Sequence, residues 1–224
     1  MNLPNKERLA VQEIRDRLKN KKIIILSGLR KVGKTTALRQ LENSEFNAIY
    51  VDCRNKNDIV KIDSFLKGGK GLLLLDEFNY HPNCYHLSEE IAEIVDRTGM
   101  KVVLTSSSVH FCNVLSFQTL GGGRSGLIRM PLFTFAEFLL FSDRIENYAD
   151  LTGISETDWL DYTDYRGPIG LPEIDAQYVQ SLVEEINIAY NNYPVYFGDL
   201  KLNESDVRNA LSLLTYNPAL PDTV

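Results

Sequence analysis

The sequence is poor in cysteine and has no long run of apolar residues. Its 224 residues include three cysteines, Cys53, Cys84 and Cys112, which are odd in number and widely spaced. This pattern predicts free thiols in a reducing compartment rather than a disulfide framework. No apolar run approaches the roughly 18 residues that cross a bilayer, and charges recur throughout residues 1–22, where a signal peptide would have an apolar centre. We therefore expect a cytoplasmic protein with no membrane-embedded part.

Positive charge is outweighed by negative charge, with 24 Lys and Arg against 30 Asp and Glu. The formal net charge is −6 and the sequence pI is about 5.2. This balance argues against attraction of nucleic acid by the whole surface, although it is compatible with a local basic patch. The densest basic cluster consists of Lys19, Lys21 and Lys22. It is interpreted as a solvated helix end, where cations are favourable, with a nucleic-acid contact as the less favoured alternative.

Along the first 142 residues, short apolar runs alternate with segments in which apolar residues recur at helical spacing. Short apolar runs predict five strands, at 23–26, 46–52, 72–75, 102–104 and 127–130. Helical spacing predicts helices at 5–20, 36–42, 59–66, 86–97, 110–120 and 135–141. Strands that alternate with helices are typical of a doubly wound parallel sheet with right-handed crossovers. Such sheets bind their ligands at the carboxyl ends of the strands.

The last third of the chain has a different character. Residues 143–166 are acidic and are interrupted by Gly153, which predicts a domain boundary in this segment. Helical spacing returns at 176–190 and 205–216. We expect an α/β core with an N-terminal helix over residues 1–142, followed by a mainly helical lid, or the start of a further C-terminal domain, over residues 143–224.

A glycine-rich segment directly follows the first predicted strand. Residues 28–35 read GLRKVGKT, the pattern G-x-x-x-x-G-K-[ST] in strand–loop–helix context. Gly28 and Gly33 leave backbone N–H groups accessible to phosphates, Lys34 supplies positive charge, and Thr35 supplies a hydroxyl for Mg²⁺. The helix beginning near Gly33 adds its positive N-terminal end. The segment predicts a P-loop site for a nucleoside triphosphate.

The predicted nucleotide-binding residues are the whole loop and the residue after it: Gly28, Leu29, Arg30, Lys31, Val32, Gly33, Lys34, Thr35 and Thr36. The side chains of Arg30 and Lys31 are predicted to point outward. The N-K-x-D pattern with which GTPases recognise guanine does not occur. ATP and Mg²⁺ are therefore the predicted cofactors.

Two adjacent acids follow the four leucines of the third predicted strand. Asp76 is predicted to hold Mg²⁺ through water, together with Thr35, and Glu77 to polarise the attacking water. Hydrolysis needs this division because a carboxylate committed to the metal is a poor base, whereas a second one can deprotonate a nucleophile. An acidic strand end facing solvent is the simpler alternative. The combination of the acid pair with the phosphate loop favours a hydrolytic site.

A run of hydroxyls, TSSS, ends the fourth predicted strand. If the sheet has the order of additional-strand ATPases, this strand lies between the first strand and the acidic one. Ser107 is then the predicted contact to the γ-phosphate or the attacking water, with Thr105 and Ser106 as alternatives. Hydroxyls that merely cap a helix or turn are an equally favoured interpretation.

Arg124 follows three glycines and precedes the fifth predicted strand. A guanidinium there is predicted to complete the catalytic site as an arginine finger, from the domain's own edge or in a neighbouring subunit. The alternative is a surface arginine in a loop.

Taken together, these segments resemble the AAA_14 type of AAA+-like ATPases. The resemblance covers residues 20–142 and rests on GLRKVGKTT, LLLLDEF followed by a helix, the TSSS strand end, L-x-G-x-R before the fifth strand, and PLFTFAEFL. GLPE at 170–173 extends it into the lid. Three departures stand out: Ser106 replaces a usual glycine, Ile169 replaces the first glycine of a pair, and residues 121–123 enlarge a loop.

The resemblance implies a P-loop NTPase three-layer sandwich that hydrolyses ATP to ADP and phosphate to drive a conformational change. It also implies a homo-oligomer, or a partner protein that supplies or receives an arginine finger. One alternative is a nucleotide-dependent switch or scaffold with slow or partner-gated hydrolysis. Another is the ATPase module of a nucleic-acid-associated system, which the negative net charge does not favour.

Overall fold

A computed structural model describes residues 6–28, 30, 32–45, 47–121, 123–131, 134–149 and 153–164. Several residues of interest lie outside this set. They are Leu29 and Lys31 of the phosphate loop, Phe46 of the second predicted strand, the predicted helices at 176–190 and 205–216, and GLPE at 170–173. Among the described helices, none is both long and apolar enough to cross a membrane.

Five parallel strands form one sheet, which confirms the predicted fold class. They are β1 (Ile23–Ser27), β2 (Ala48–Asp52), β3 (Leu72–Asp76), β4 (Lys101–Ser106) and β5 (Ser125–Arg129). Their order in the sheet is β2-β3-β4-β1-β5. The hydroxyl-ended β4 thus lies between β1 and the acidic β3, as the additional-strand order predicts. All carboxyl ends meet at one edge of the sheet, which we call the carboxyl edge, and all amino ends meet at the amino edge.

Helices connect the strands at nearly the predicted positions. They are α1 (Leu9–Leu18), α2 (Lys34–Ser44), α3 (Lys56–Gly68), α4 (Cys84–Arg97) and α5 (Val109–Val114), which continues as a π-helical turn over Leu115–Thr119. A short 3₁₀ turn, Phe78–Tyr80, follows β3. The Asn55 side chain caps α3 by accepting from the N–H of Asn57, which satisfies one of the free donors of the first turn.

The sheet is covered on both faces, which explains its uninterrupted apolar strands. Successive residues of a strand point to opposite faces. Ile23 and Ile25 accordingly pack with α3, α4 and α5, whereas Ile24 and Leu26 pack with α1 and α2. The α1 stripe predicted from Ala10, Ile14 and Leu18 is buried in the second of these clusters. The result is the predicted three-layer sandwich.

The chain divides into two compact units, Met1–Leu132 and Phe133–Val224. In the second unit, α6 (Phe135–Phe141) begins with a capping box formed by Thr134 and Glu137. A helix that the sequence did not predict, α7 (Glu156–Asp164), follows it. Its Trp159 ring lies 5.1 Å from that of Phe135. The domain boundary predicted at residue 142 stays a prediction.

The three cysteines have no disulfide partner. Cys53 and Cys112 are buried and Cys84 is partly exposed, and all three are free thiols, as predicted. Burial raises the pKa of the Cys112 thiol to about 11, so this group stays protonated and inert near neutral pH.

Candidate active site

The phosphate loop leaves the carboxyl edge at Ser27 and enters α2 at Lys34. Gly33, the residue before α2, has a φ of +96°, a backbone conformation that glycine adopts without strain. A Cβ atom added to it would lie 2.7 Å from Arg8 Nη1. A Cβ added to Gly28 would lie 2.7 Å from the carbonyl oxygen of Met130. Close packing against backbone therefore requires glycine at position 28, whereas the backbone conformation favours glycine at position 33.

Lys34 is the cation at the centre of the site. Its side chain is 4% exposed, and Nζ donates to the carbonyl oxygen of Gly28 (2.8 Å) and to Ser107 Oγ (3.0 Å). The ammonium lies 3.6 Å from Glu77 Oε1. One buried positive charge thus joins the loop, the hydroxyl-ended strand and the acid pair.

Asp76 is fully buried, and hydroxyl groups surround its carboxylate. Oδ2 accepts from Thr35 Oγ1 (2.7 Å) and from the Tyr50 hydroxyl (2.8 Å), while Oδ1 accepts from Thr105 Oγ1 (2.7 Å). Burial and the charge of Asp76 raise the pKa of Tyr50, which remains a donor at neutral pH. A carboxylate and a hydroxyl in contact are hard oxygen ligands that suit Mg²⁺, so Thr35 and Asp76 fit the metal role predicted for them.

Glu77 has an unusual backbone conformation. Its φ and ψ are 50° and 53°, in the left-handed region that non-glycine residues rarely adopt. Residues held in such conformations concentrate at functional sites. Its carboxylate accepts from Ser107 Oγ (2.7 Å) and from the Ser107 N–H (3.2 Å). The side chain is therefore held directly beside Lys34.

The four hydroxyls that end β4 have separate roles. Thr105 links the two acids, because its Oγ1 donates to Asp76 and accepts from the Glu77 N–H (3.0 Å). Ser107 contacts Lys34 and Glu77. Ser106 Oγ donates to Asn79 Oδ1 (2.8 Å), and Ser108 caps α5. The alternative of a helix cap therefore occurs at Ser108, whereas the contact of Ser107 with the γ-phosphate or the attacking water stays a prediction.

The remaining loop residues are arranged around this centre. Val32 is buried and packs in the apolar core beneath the loop, whereas Thr36 is half-buried on the first turn of α2. Arg30 Nη2 donates to the Tyr80 hydroxyl at the surface (2.8 Å). Tyr80 belongs to the turn that begins after Glu77, so the loop contacts the segment that follows the acid pair.

Arg8 is a site residue that the sequence did not indicate. Its side chain is 3% exposed, and its guanidinium donates to the carbonyl oxygens of Val32 and Pro131. It therefore ties the start of α1 to the phosphate loop and to the end of β5. No local pattern reports such a contact, because Arg8 and Val32 are 24 positions apart.

Arg124 lies at the amino edge, and the structure does not bring it together with the other predicted site residues. Its carbonyl oxygen accepts from the N–H groups of Lys22 and Ile23 at the start of β1, and its Nη2 lies 3.3 Å from Asp96 Oδ2. Because β5 is five residues long, the two edges are separated by about 15 Å at about 3.3 Å per residue. The prediction that Arg124 completes the chain's own site is wrong. A role in a neighbouring subunit stays a prediction.

The basic cluster near residue 20 also lies at the amino edge. Lys22 Nζ donates to the carbonyl oxygen of Val95 near the end of α4, and Lys21 Nζ donates to that of Gly123 (2.6 Å). Lys19 pairs with Asp16 (2.7 Å). These contacts agree with the interpretation of the cluster as a helix end, because cations are favourable where helix carbonyls are free.

The strand order, the loop between β1 and α2, and the acid pair after β3 define a P-loop nucleoside-triphosphatase domain. The family model of the AAA_14 type, described as an AAA domain, matches residues 20–139. The chain therefore belongs to this family of P-loop ATPases, as the sequence resemblance predicted. The comparison with curated proteins gives no significant match.

The chain also has low similarity to several solved structures. The Walker-type ATPase PABY2304 of Pyrococcus abyssi is 16% identical with a TM-score of 0.48, over 99% of this chain and 89% of that one. The Aeropyrum pernix ORC1 protein, solved in complex with DNA, is 16% identical with a TM-score of 0.44, over 95% and 67%. AMPPCP-bound DnaA from Aquifex aeolicus is 17% identical with a TM-score of 0.42, over 93% and 78%.

Proposed function

We propose that the protein binds ATP and hydrolyses it to ADP and phosphate in a Mg²⁺-dependent reaction. One observation carries this proposal: Lys34, Thr35, Asp76, Glu77 and Ser107 form a connected polar network at the carboxyl edge. Its links are the contacts from Lys34 to Ser107 (3.0 Å), from Ser107 to Glu77 (2.7 Å) and from Thr35 to Asp76 (2.7 Å). Thr105 joins the two halves, because its hydroxyl donates to Asp76 (2.7 Å) and accepts from the Glu77 N–H (3.0 Å). We also propose that the protein is located in the cytoplasm.

In this proposal, the loop N–H groups and Lys34 bind the phosphates. The ammonium exchanges its contacts with Gly28 and Ser107 for β- and γ-phosphate oxygens, which carry more negative charge than a carbonyl or hydroxyl. Thr35 and Asp76 would hold Mg²⁺, which would neutralise phosphate charge when bound. Tyr50 and Thr105 keep the Asp76 carboxylate in position through hydrogen bonds of 2.8 and 2.7 Å.

Glu77 acts as the base. Its carboxylate orients a water molecule and accepts its proton as the water oxygen forms a bond to the γ-phosphorus. The bond between this phosphorus and the bridging oxygen breaks, and ADP leaves with that electron pair. For this step, Glu77 gives up its contact with Ser107, whose hydroxyl then donates to the γ-phosphate. The departure of Lys34 toward the phosphates removes the charge that holds Glu77 in its present position.

The test separates binding from hydrolysis. In Glu77→Gln, we expect ATP turnover to fall about 100-fold, the usual contribution of a general base, while the ATP dissociation constant changes less than about threefold. Glu93→Gln is the matched control, because Glu93 is a well-exposed glutamate on α4, and it should behave as the wild type. Equal turnover in Glu77→Gln and wild type would contradict the assignment of the base.

A second candidate function is a nucleotide-dependent switch with slow or partner-gated hydrolysis. The observation that favours it is the position of Glu77, which is 8% exposed and bound by Ser107 rather than free to take up water. A homo-oligomer or a partner protein would then release it. In its homo-oligomer form, this candidate predicts that turnover per chain rises with protein concentration or with ATP-dependent assembly, as measured by light scattering. Constant turnover and mass would contradict that form and would leave gating by a different partner protein.

A further inference from the structure

Arg54 follows β2 and lies beside the acid pair. Strand register places Asp52 opposite Asp76, and the N–H of Cys53 donates to the carbonyl oxygen of Asp76 (3.0 Å). The chain therefore turns away from the sheet directly next to the predicted metal ligand. Arg54 is the first residue after that contact with a side chain long enough to extend over the carboxyl edge.

The guanidinium of Arg54 is held in a two-point contact. Nε donates to Asp52 Oδ1 and Nη2 to Asp52 Oδ2, both at 2.8 Å. The same Oδ1 atom accepts from the Arg54 N–H (3.0 Å). Such paired bonds fix the plane of a guanidinium as well as its position. The hydrogen bonds to Asp52 also raise the pKa of Arg54, so its charge is permanent.

The contact with Asp52 leaves one end of the guanidinium free for a ligand. Nη1 has no hydrogen-bond partner within the described part of the chain, and the side chain is 49% exposed. Nη2 lies 3.9 Å from Asp76 Oδ2. That oxygen also accepts from the Thr35 hydroxyl. A permanent cation with unused N–H groups is thus held beside the pair of residues predicted to bind Mg²⁺.

The strand order places Arg54 and Lys34 on opposite sides of the acid pair. Lys34 contacts Ser107 directly after β4, and Arg54 extends from β2, while the acid pair lies at the end of β3 between these two strands. The two cations therefore flank the acid pair from opposite sides. Arg124, the arginine singled out from the sequence, lies at the other edge of the sheet.

We infer that Arg54 is the arginine that contacts the γ-phosphate in the chain's own site. This inference rests on the proposed function, because it assigns a ligand to the same site. Arg54 keeps its contact with Asp52, and Nη1 donates to γ-phosphate oxygens on the side opposite Lys34. There it stabilises the charge that the γ-phosphoryl group carries as the bond to ADP breaks. The site then has its own arginine and needs none from a neighbour.

A purely local role would be an ion pair that stabilises the turn after β2. The two roles differ in their effect on nucleotide preference, since ADP lacks the γ-phosphate. With the full chain and Mg²⁺, we expect Arg54→Ala to weaken ATP binding about tenfold and ADP binding less than twofold, in competition with a fluorescent ADP analogue. Arg54→Lys should weaken ATP binding about threefold. Arg97→Ala removes an exposed arginine at the amino edge and should change neither affinity.

Equal losses for ATP and ADP, or no loss in Arg54→Ala, would overturn the inference. Thermal melting of each variant identifies a folding defect, and Arg54→Lys preserves the charge if Arg54→Ala unfolds. Turnover should fall at least about 100-fold in Arg54→Ala, in line with arginine fingers of other P-loop enzymes. If the wild type does not hydrolyse ATP, the proposed function fails, whereas the two affinities still decide the role of Arg54.

Mixing variants tests whether Arg54 acts in its own chain. Lys34→Ala retains Arg54 but has a defective phosphate loop, and Arg54→Ala has the reverse defect. An arginine acting within its own chain predicts that an equimolar mixture remains as inactive as the separate variants. It also predicts that wild-type turnover per chain does not vary with protein concentration. Recovery of activity in the mixture would show that the arginine acts between chains and would overturn the inference.

Discussion

The two edges of the sheet contain similar charged residues but use them differently. At the carboxyl edge, Lys34 and the acid pair are almost completely buried and share contacts with Ser107 and Thr105. At the amino edge, Lys22 binds helix carbonyls and Arg124 pairs with Asp96, whose side chain is 48% exposed. The carboxyl edge thus forms a network, whereas the amino edge has separate pairs.

Chain direction explains the difference. In this fold, helices begin near the carboxyl ends of strands and end near the amino ends. The carboxyl edge therefore collects helix N-termini, whose free N–H groups attract anions, and the amino edge collects helix C-termini, whose free carbonyls attract cations. A cation at the amino edge finds helix carbonyls as partners, whereas the carboxyl edge places a cation beside helix N–H groups, an arrangement suited to a shared anion.

The strongest test of this contrast compares one lysine from each edge. Lys34→Ala should weaken ATP binding about 100-fold, because charged hydrogen bonds contribute up to about 3 kcal/mol. Lys22→Ala should leave the affinity within about twofold and affect only stability. Isothermal titration with ATP and Mg²⁺ measures both. Similar losses of ATP affinity in the two variants would show that the two edges do not differ in nucleotide binding.

A glycine at each edge tests whether the loop backbone is specifically required. Gly33→Ala should destabilise the protein by about 1–2 kcal/mol, the cost of a left-handed residue with a Cβ, and displace the buried Arg8. Gly68 ends α3 at the amino edge, where an added Cβ meets no atom within 4 Å. Gly68→Ala should therefore be neutral or stabilising by up to about 1 kcal/mol. Urea unfolding of both variants measures the difference, and a harmless Gly33→Ala would contradict it.

Variants of Arg8 test whether nucleotide affinity at the carboxyl edge depends on side chains that do not contact the nucleotide. Arg8→Ala removes the donors to Val32 and Pro131, so we expect ATP and ADP affinities to fall together by about five- to tenfold, corresponding to about one hydrogen bond. Arg8→Lys keeps the charge but not the paired geometry and should recover only part of the loss. Unchanged affinities in Arg8→Ala would show that the loop holds its shape without this contact.

The smallest effect is expected for Arg124. Arg124→Ala removes a partly exposed ion pair with Asp96 and should cost less than about 1 kcal/mol of stability. Turnover at low protein concentration should stay within about twofold of wild type. A large loss of turnover that appears only at concentrations where the protein self-associates would instead support an arginine finger acting between subunits.

Part of the candidate site could be predicted because it lies in continuous segments. The loop motif and the acid pair act through residues adjacent in sequence, so spacing alone indicates their chemistry. The position of Arg124 at the amino edge also follows from the sequence, because a residue that precedes a parallel strand lies at that edge. The contacts of Arg8, Tyr50 and Arg54 were not predictable. Each depends on which distant segment packs against it, and arginine or tyrosine at such positions has no distinctive pattern.

The hydroxyl run shows the same limit at a smaller scale. Its location at a strand end could be predicted from the valines and leucine before it, and so could the presence of a site contact within it. Ser107 is also the residue that the sequence favours for that contact, but its protein partners depend on which segment packs beside β4. In the structure, Ser107 donates to Glu77 and Ser106 donates to Asn79.

By itself, the sequence determined the phosphate loop, the acid pair and the five strands, because these follow from local spacing and apolar period, and its motifs contained the resemblance to the family. Only the tertiary structure decided which charges act together. It placed Lys34 within 3.6 Å of Glu77, Arg54 beside Asp76, and Arg124 at the opposite edge. The physical reason is that electrostatic interactions and hydrogen bonds act over a few ångströms in space. Whether two residues come that close depends on the order of the strands in the sheet, and not on how far apart the residues are along the chain.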